Sequence, residues 1–272
     1  MITYPHAKIN LGLNIVERRT DGYHNLETVF YPIPLCDKLE ITESQHANGC
    51  NLTITGIPVE GDTQQNLVAK AYRLMAETFE IPNLDVVLDK QIPTQAGLGG
   101  GSSDATFMLR AINDYAHLGL SQRELAGIAV KLGADCPCFT IDSPCYAEGI
   151  GEIISPINLD LSGWWLAIVK PDIAVSTREA FSKIQPRRPM ENCRQTVMLP
   201  VEQWRDRLTN DFEKSVFAIY PEIGRVKDRL YSAGATFALM SGSGSSLYAI
   251  FKEEPTTLET MFDGCFVWHA RL

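Results

Sequence analysis

A glycine-rich run from Pro93 to Ser103, with the sequence PTQAGLGGGSS, has the composition of an anion-binding loop. Glycines let the backbone approach a ligand closely, and the run directly precedes a segment with helical periodicity. Several backbone N–H groups can therefore converge on an anion at a helix N-terminus, where Ser102 and Ser103 would add hydroxyl donors and a helix cap. A flexible connection without a ligand is the alternative, because most glycine-rich turns are of that kind.

Familiar nucleotide-binding patterns do not fit this run. No Gly-Lys-Ser or Gly-Lys-Thr occurs in the chain, which excludes a P-loop. Gly97-Leu98-Gly99 begins like a dinucleotide fingerprint, but the pattern ends in Ser102 and no suitable acidic residue follows. The H-R-D and D-F-G signatures of protein kinases are also missing. Any phosphate is therefore held by a different kind of loop.

A cation and a carboxylate occupy segments that are predicted to be structurally fixed. Residues 7–16 alternate between apolar and polar types, which predicts a half-buried strand with Lys8 and Asn10 on its polar face. A merely solvated outer face would give the same alternation. Asp135 follows the glycine that ends a predicted helix, where a carboxylate that caps a helix or turn is the alternative to a catalytic one.

A second glycine turn, SGSGS at 241–245, lies between two apolar strands predicted at 235–240 and 246–251. A simple hairpin needs fewer special residues than this turn contains. A helix is predicted at 221–232, before the first of these strands. The turn is therefore a second candidate for a functional loop.

The remaining periodicity predicts an α+β protein. Helical patterns cover 66–80, the stretch after Ser103, and 121–132, which opens with a capping box. Further strands are predicted at 38–43, 51–55, 84–88 and 166–169. Strands and helices follow one another without a regular βαβ repeat, which favours α+β over a doubly wound sheet.

Length and composition limit the possible partners. The 272 residues can form two lobes, which we predict at 1–155 and 156–272, with a cleft between them. A net charge of −9 argues against nucleic acid and anionic membranes as partners. The seven scattered cysteines and the absence of a signal-peptide pattern predict a cytoplasmic protein with reduced thiols. A monomer and a homodimer are both compatible with the sequence.

Three segments together resemble the GHMP kinase superfamily: the first strand, PTQAGLGGGSSDA at 93–105 and SGSGSSLYAIF at 241–251. They span nearly the full chain. The resemblance implies a two-lobed GHMP kinase fold of the α+β class, with the active site in the cleft between the lobes. It also implies an enzyme that transfers a phosphoryl group from ATP, with Mg²⁺, to a hydroxyl group.

Five shorter segments are similar to the superfamily members that act on a cytidine diphosphate sugar-alcohol. They read AKINL at 7–11, RTDGYH at 19–24, LGADCP at 132–137, AEGIGE at 147–152 and TNDFE at 209–213. The resemblance implies that such a small molecule is the substrate. Another GHMP kinase of the homoserine or mevalonate type is an alternative. A nucleotide-binding protein without activity is a second one, although it would be expected to lack Lys8 or Asp135.

The resemblance also implies roles for individual residues. Asp135 would be the catalytic base, with Lys8 as its partner. The ATP phosphates would lie against Pro93, Thr94, Gln95, Ala96, Gly97, Leu98, Gly99, Gly100, Gly101, Ser102 and Ser103, and the adenine and ribose near Asn66 and Lys90. The cytidine substrate would contact Asn10, Tyr23, His24, Thr177, Phe181 and Gly242. A solvated turn residue is the alternative for His24.

Asp104 departs from the commonest superfamily pattern, in which Asn is frequent. Its carboxylate adds negative charge near the phosphates unless a cation offsets it. The sequence does not identify protein ligands for Mg²⁺, and Ser103 and Asp104 are the candidates.

Overall fold

The computed structural model describes residues 1–45 and 49–272. The strands, numbered in chain order, are β1 Ile2–Thr3, β2 His6–Arg18, β3 His24–Cys36, β4 Lys38–Glu43, β5 Cys50–Gly56, β6 Leu84–Lys90, β7 Cys145–Glu148, β8 Ile153–Pro156, β9 Trp165–Lys170, β10 Phe237–Met240, β11 Leu247–Phe251 and β12 Phe266–Arg271. The α-helices are α1 Leu67–Ala76, α2 Gly100–Tyr115, α3 Gln122–Ala129, α4 Thr177–Phe181, α5 Cys193–Thr196, α6 Phe212–Ile219, α7 Pro221–Ser232 and α8 Leu258–Met261. Short 3-10 helices lie at Thr63–Gln65, Cys136–Thr140 and Val201–Gln203.

The chain forms two compact units, each of which combines several segments. The first unit comprises Met1–Ala7, Leu35–Thr94 and Gly99–Asp142. The second unit comprises Lys8–Pro34, Gln95–Leu98 and Ser143–Leu272. These units are grouped by contact rather than by chain order, and the division of the chain at residue 155 stays a prediction.

The first unit contains a four-stranded sheet in the order β1-β4-β6-β5. β4 pairs with β6 in the antiparallel sense and β5 pairs with β6 in the parallel sense. Helix α2 buries Ala105, Met108, Leu109 and Ile112, which recur at helical spacing, and α1 packs against it. The sheet and this helix pair fix the two ends of the glycine-rich run, since the run leaves β6 and enters α2.

The strands predicted at 38–43, 51–55 and 84–88 are confirmed as β4, β5 and β6. The capping box is confirmed as well, since the side chains of Ser121 and Glu124 cap the start of α3 reciprocally. The helix boundaries differ from the prediction in three places. Helix α1 ends at Ala76, α2 already begins at Gly100, and α3 ends at Ala129.

The early start of α2 corrects the predicted helix cap. Gly99 occupies the N-cap position in the left-handed conformation, with φ 71°, and no side chain caps the helix. Ser102 and Ser103 therefore lie within its first turn rather than at its cap. Glycine tolerates a positive φ at little steric cost, which explains why the backbone itself begins the helix here.

The second unit contains two four-stranded sheets, ordered β2-β3-β7-β8 and β10-β11-β9-β12. The pairs within the latter are antiparallel. One buried hydrophobic cluster joins Leu13 and Ile15 of β2 to Val216 of α6, Ile223 of α7 and Leu247 of β11. The helix predicted at 221–232 and the strands on either side of the second glycine turn are confirmed.

Strand β2 differs from the predicted half-buried strand, because both of its faces are buried. Lys8 is 3% exposed and Asn10 is 2% exposed, so their face is not a solvated one. Its neighbour β3 was not predicted, since Pro32 and Pro34 interrupt the pattern and proline is rare inside sheets. His24 is the first residue of β3 rather than a turn residue.

The described helices include none with the length and apolar character that a membrane crossing requires. Free thiols are found at Cys36, Cys50, Cys136, Cys193 and Cys265.

Candidate active site

Lys8 lies buried in the second unit and is held by polar and aromatic neighbours. Its ammonium donates to Asn10 Oδ1 at 2.7 Å and to the carbonyl oxygen of Gly97 at 3.3 Å. It also lies 4.8 Å from the centroid of the Phe30 ring. A buried cation is costly unless such groups replace its water, so these contacts fix the position of the ammonium.

Asn10 connects Lys8 to the surrounding strands and to the second glycine turn. Its side-chain nitrogen donates to Thr28 Oγ1 at 3.0 Å, and its backbone N–H donates to Ser241 Oγ at 3.2 Å. The amide orientation is thereby fixed, since the oxygen must face the ammonium of Lys8. Thr28 is a site residue that no sequence pattern indicated, whereas Ser241 belongs to the second glycine turn.

The two glycine turns contact each other in the second unit. Ser241 Oγ donates to the carbonyl oxygen of Gly97 at 2.8 Å, and the N–H of Ser246 donates to the carbonyl oxygen of Ala96 at 3.2 Å. Gly97 has φ 73° and Gly242 has φ 54°. A Cβ added to Gly97 would collide with the backbone carbonyl of Ser241. The close approach of the two turns therefore requires glycine at position 97.

Asn210 is buried and forms hydrogen bonds to the backbone of the second glycine turn. Its side-chain nitrogen donates to the carbonyl oxygens of Met240 and Gly242, both at 2.8 Å. Its oxygen accepts the N–H of Phe212 at 3.0 Å. In the sequence, the TNDFE segment around this residue is distinguished only by a family resemblance. The structure shows that the segment supports the turn.

The N-terminus of α2 offers backbone donors to an anion. The first intrahelical bond at this end joins the N–H of Ser103 to the carbonyl oxygen of Gly99 at 2.8 Å. The N–H groups of Gly100, Gly101 and Ser102 precede that bond, as at any helix start. Together with the helix dipole they favour a bound phosphate.

The hydroxyl of Ser103 is directed into the protein. It donates to the carbonyl oxygen of His6 at 2.7 Å, and the residue is 0% exposed. The predicted use of this hydroxyl as a phosphate donor is therefore wrong. The other Mg²⁺ candidate, Asp104, contacts the ammonium of Lys90. Among the described residues, no group of three or more His, Cys, Asp or Glu side chains could hold a metal ion.

Lys90 lies between two buried carboxylates in the first unit. Its ammonium contacts Asp104 Oδ2 at 2.7 Å and also Asp37 Oδ2. Asp37 Oδ1 accepts the N–H groups of Gln91 and Ile92. Lys90 is thus the cation that offsets the unusual charge of Asp104. The nucleotide contact expected of Lys90 stays a prediction.

This cluster contains one ammonium and two carboxyl groups, so the lysine cannot neutralise both of them. Burial raises the pKa of Asp104 to about 8 in spite of the ammonium of Lys90. Asp104 Oδ1 is buried and accepts no hydrogen bond from the part of the chain that the structure describes. Burial alone would lower the pKa of Lys90, but the charges of Asp104 and Asp37 raise it above its usual value.

Asp104→Asn should make the protein more stable at pH 9, and the gain should shrink as the pH falls towards 4. The native carboxyl binds its proton more tightly than the unfolded one, whose pKa is about 3.9. The native state therefore loses stability as the pH rises from the unfolded pKa to the native pKa of about 8. Asn at position 104 does not titrate, so the variant does not lose this stability. Urea unfolding at pH 6 and pH 9 measures the difference.

Asp114→Asn is the matched control, because Asp114 is an exposed aspartate of the same helix. It should leave the pH dependence of the free energy of unfolding unchanged. A variant Asp104→Asn that is less stable than the parent at both pH values would contradict the assignment.

His24 and Phe181 form an aromatic surface in the second unit. Their rings stack at 4.9 Å with an interplanar angle of 26°, and Phe212 packs edge-on against Phe181 at 4.8 Å. Thr177 is the first residue of the short helix that carries Phe181. Tyr23 precedes His24 and is 62% exposed. The structure thus brings His24 and Phe181 into contact, and their binding of the cytidine substrate stays a prediction.

A cavity of about 260 Å³ lies in the first unit beside the start of α2. It brings together two residues expected to bind ATP, Asn66 and Gly101. Asn66 Oδ1 accepts the N–H of Val68 at 2.9 Å and so caps α1. The lining residues are Ile54, Val59, Glu60, Gly61, Asp62, Thr63, Gln65, Asn66, Leu67 and Gly101.

Asp135 stands at the N-cap position of the 3-10 helix Cys136–Thr140. Its side chain makes no capping hydrogen bond to that helix. Asp135 therefore does not cap this helix, and its capping of a turn stays an alternative. Asp135 belongs to the first unit, and its role as a catalytic base stays a prediction.

Comparison with known families matches two parts of the chain. The family described as GHMP kinases N terminal domain matches residues 66–143, and GHMP kinases C terminal matches residues 195–259. The chain belongs to the GHMP kinase family.

Two relatives that match over the whole length have the same name. A protein of Parabacteroides distasonis named 4-diphosphocytidyl-2-C-methyl-D-erythritol kinase is 49% identical over 274 residues and covers 100% of both chains. The protein of that name from Bacteroides fragilis is 50% identical over 273 residues, again with 100% of both chains covered.

Solved structures show the same fold. A crystal structure of 4-(cytidine 5'-diphospho)-2C-methyl-D-erythritol kinase superposes with a TM-score of 0.81 at 28% identity, covering 100% of both chains. The mevalonate kinase of Methanococcus jannaschii gives a TM-score of 0.74 at 13% identity, with 100% and 98% of the two chains covered. The fold is that of the GHMP kinases, which confirms the predicted mixed helix and sheet class.

Proposed function

We propose that this chain is an ATP-dependent kinase that phosphorylates the 2-hydroxyl of 4-diphosphocytidyl-2-C-methyl-D-erythritol, giving the 2-phosphate and ADP. The observation that carries the proposal is identity of about one half, over the full length, to proteins named for this substrate. We place the reaction in the cytoplasm, whose reducing conditions suit free thiols such as those of Cys36 and Cys265.

The glycine-rich run would bind the phosphates of ATP. The N-terminus of α2 supplies backbone donors, and Gly97 is fixed by the second glycine turn. The cavity that contains Asn66 and Gly101 lies beside that helix start and would take the base or ribose. Mg²⁺ would arrive bound to the ATP phosphates and reduce their charge, since Ser103 and Asp104 are not placed as its ligands.

Phosphoryl transfer depends mainly on positioning and on stabilisation of charge. We assign Asp135 the role of accepting the proton of the attacking hydroxyl. The ammonium of Lys8 would orient the attacking oxygen. Its fixed position against Asn10 and Gly97 supports this role, because a mobile ammonium would not orient a reactant.

The aromatic surface of His24 and Phe181 would bind the cytosine ring, with Tyr23 and Thr177 beside it. Burial and the charge of Arg18 lower the pKa of His24. The imidazole is then neutral at pH 7 and can both donate and accept a hydrogen bond. A cytosine edge presents both kinds of group, so a neutral histidine suits its recognition.

His24→Ala should raise the KM for the cytidine substrate by about 10-fold or more, which corresponds to about 1.4 kcal/mol of lost binding. The KM for ATP should change less than about twofold, since the lost ring contacts only the cytidine. Steady-state kinetics with each substrate varied in turn measures the split. Equal effects on both constants would contradict cytosine recognition by His24.

The proposed function is tested by following ADP release with ATP, Mg²⁺ and 4-diphosphocytidyl-2-C-methyl-D-erythritol. Mevalonate and homoserine serve as comparison substrates under the same conditions. We expect turnover only with the cytidyl compound. Turnover with mevalonate or homoserine would indicate another GHMP kinase activity. Nucleotide binding without ADP release from any of the three would indicate a protein that has lost the reaction.

A further inference from the structure

The glycine-rich run is closed at its base by a buried contact between a lysine and an aspartate. The run leaves β6 after Lys90 and enters α2, whose first turns contain Asp104. The Lys90 ammonium and Asp104 Oδ2 are 2.7 Å apart, so the residues at the two ends of the run are joined directly. Both side chains are 3% exposed, so water does not compete for this contact as it does at the surface.

Asp37 extends the pair on the strand side of the run. Its Oδ2 contacts the same ammonium, and its Oδ1 accepts the N–H groups of Gln91 and Ile92, the first residues after β6. Asp37 itself lies between β3 and β4. One carboxylate therefore fixes both the lysine and the backbone where the run begins.

The packing around Gly100 shows how closely the two ends meet. A Cβ added to Gly100 would lie 2.9 Å from Ile92 Cγ2 and 3.4 Å from the ammonium nitrogen of Lys90. Gly100, the first residue of α2, therefore packs directly against Lys90, which ends β6, and Ile92, which follows it. A small shift of either end would break this contact.

We propose that Asp37, Lys90 and Asp104 form a clamp that positions the first turn of α2 and the glycine-rich run for nucleotide binding. The clamp acts through the backbone, and Lys90 is then a positioning residue that need not touch ATP. The inference rests on the proposed function, because the position of the run matters for activity only if the run holds the ATP phosphates. Closing the run before ATP arrives lowers the entropy that ATP binding would otherwise cost.

The buried carboxylate that lacks a second partner fits this role better than a role in stability. Asp104 is 2% exposed and its Oδ1 accepts no hydrogen bond within the described residues. If this position contributed only to stability, a neutral residue of similar volume would lose less solvation free energy on burial than a carboxylate does. Asp104 is instead the second carboxylate that contacts the ammonium of Lys90, the last residue of β6. This contact connects α2 to β6.

The clamp is tested with Asp104→Ala, which removes the bridge, and Asp104→Asn, whose carbonyl can still accept from Lys90. Hydrogen exchange of the amides of residues 91–103 is measured in the ligand-free protein. We expect exchange to be at least about 10-fold faster in Asp104→Ala, equivalent to about 1.4 kcal/mol less protection. Asp104→Asn should stay close to the parent.

Steady-state kinetics supplies the second readout. Asp104→Ala should raise the KM for ATP by about 10-fold or more, while the KM for the cytidyl substrate changes less than about twofold. Lys252→Met is the control, since it breaks another ion pair, with Glu202 at 2.8 Å, outside both glycine turns. It should change neither the exchange of residues 91–103 nor the KM for ATP.

Unchanged exchange of residues 91–103 in Asp104→Ala would overturn the clamp, whether or not the parent is a kinase. Faster exchange with an unchanged KM for ATP in an active enzyme would also overturn it, because the clamp would then not serve nucleotide binding. A parent protein without kinase activity would refute the proposed function instead, while the exchange data still decide whether the clamp exists.

Discussion

Asp135→Asn should lower turnover by about 10²–10⁴-fold, the range that general base catalysis contributes. Asn keeps the size and shape of the side chain but cannot accept the proton of the attacking hydroxyl. The KM values for both substrates should change much less than turnover, since the lost interaction belongs to the transition state. Single-turnover measurements of phosphoryl transfer separate this effect from product release.

Asp142→Asn is the matched control for Asp135→Asn. Asp142 lies in the same unit and accepts two hydrogen bonds from Arg110, at 2.7 and 2.8 Å. Its loss should affect stability rather than turnover. Near-parental turnover in Asp135→Asn, or an equal loss of turnover in Asp142→Asn, would exclude a specific role of Asp135 as the base.

Gly97→Ala should lower kcat/KM for ATP by about 10²-fold, a loss expected from a small misplacement of a binding loop. Alanine at a φ of 73° is strained, which costs on the order of 1–3 kcal/mol. Its Cβ would also collide with the backbone of Ser241, so the two glycine turns would have to separate. The hydrogen bonds of Gly97 to Ser241 and Lys8 would lengthen with them. Urea unfolding and ATP-dependent kinetics measure the two losses.

Gly127→Ala provides the contrast for this glycine substitution. Gly127 lies within α3, and an added Cβ would meet no atom within 4 Å. Alanine should raise the stability by about 0.5–1 kcal/mol, since glycine is unfavourable inside a helix. Kinetics should stay unchanged. If Gly97→Ala behaved like Gly127→Ala, the contact between the two glycine turns would have no functional importance.

Local features of the fold could be predicted from the sequence because they depend on residues close together in the chain. The alternation of β2, the capping box at Ser121 and the strands on either side of the second glycine turn are of this kind. Their signals are side-chain periodicity and short-range capping, which need no knowledge of distant contacts. Strand β3 escaped prediction because its prolines hide that periodicity.

The residues of the candidate site were also visible in the sequence, mostly through a family resemblance rather than through their spacing. The glycine-rich run, Lys8 and the second glycine turn were recognised as separate segments. Their contact was not, because Asn10 and Ser241 are 231 residues apart in the chain. Only the packing of whole strands and turns brings such residues together.

Charge gives the clearest example of what the sequence alone determined. The sequence identifies Asp104 as an extra negative charge near the glycine-rich run, and it predicts that a cation offsets this charge. The cation is Lys90, 14 residues away in the chain, and its other partner Asp37 is 53 residues away. Burial decides how strongly these groups interact, and burial is a property of the folded chain. The sequence therefore determined which groups are present, while the tertiary structure decided which of them meet and with what charge.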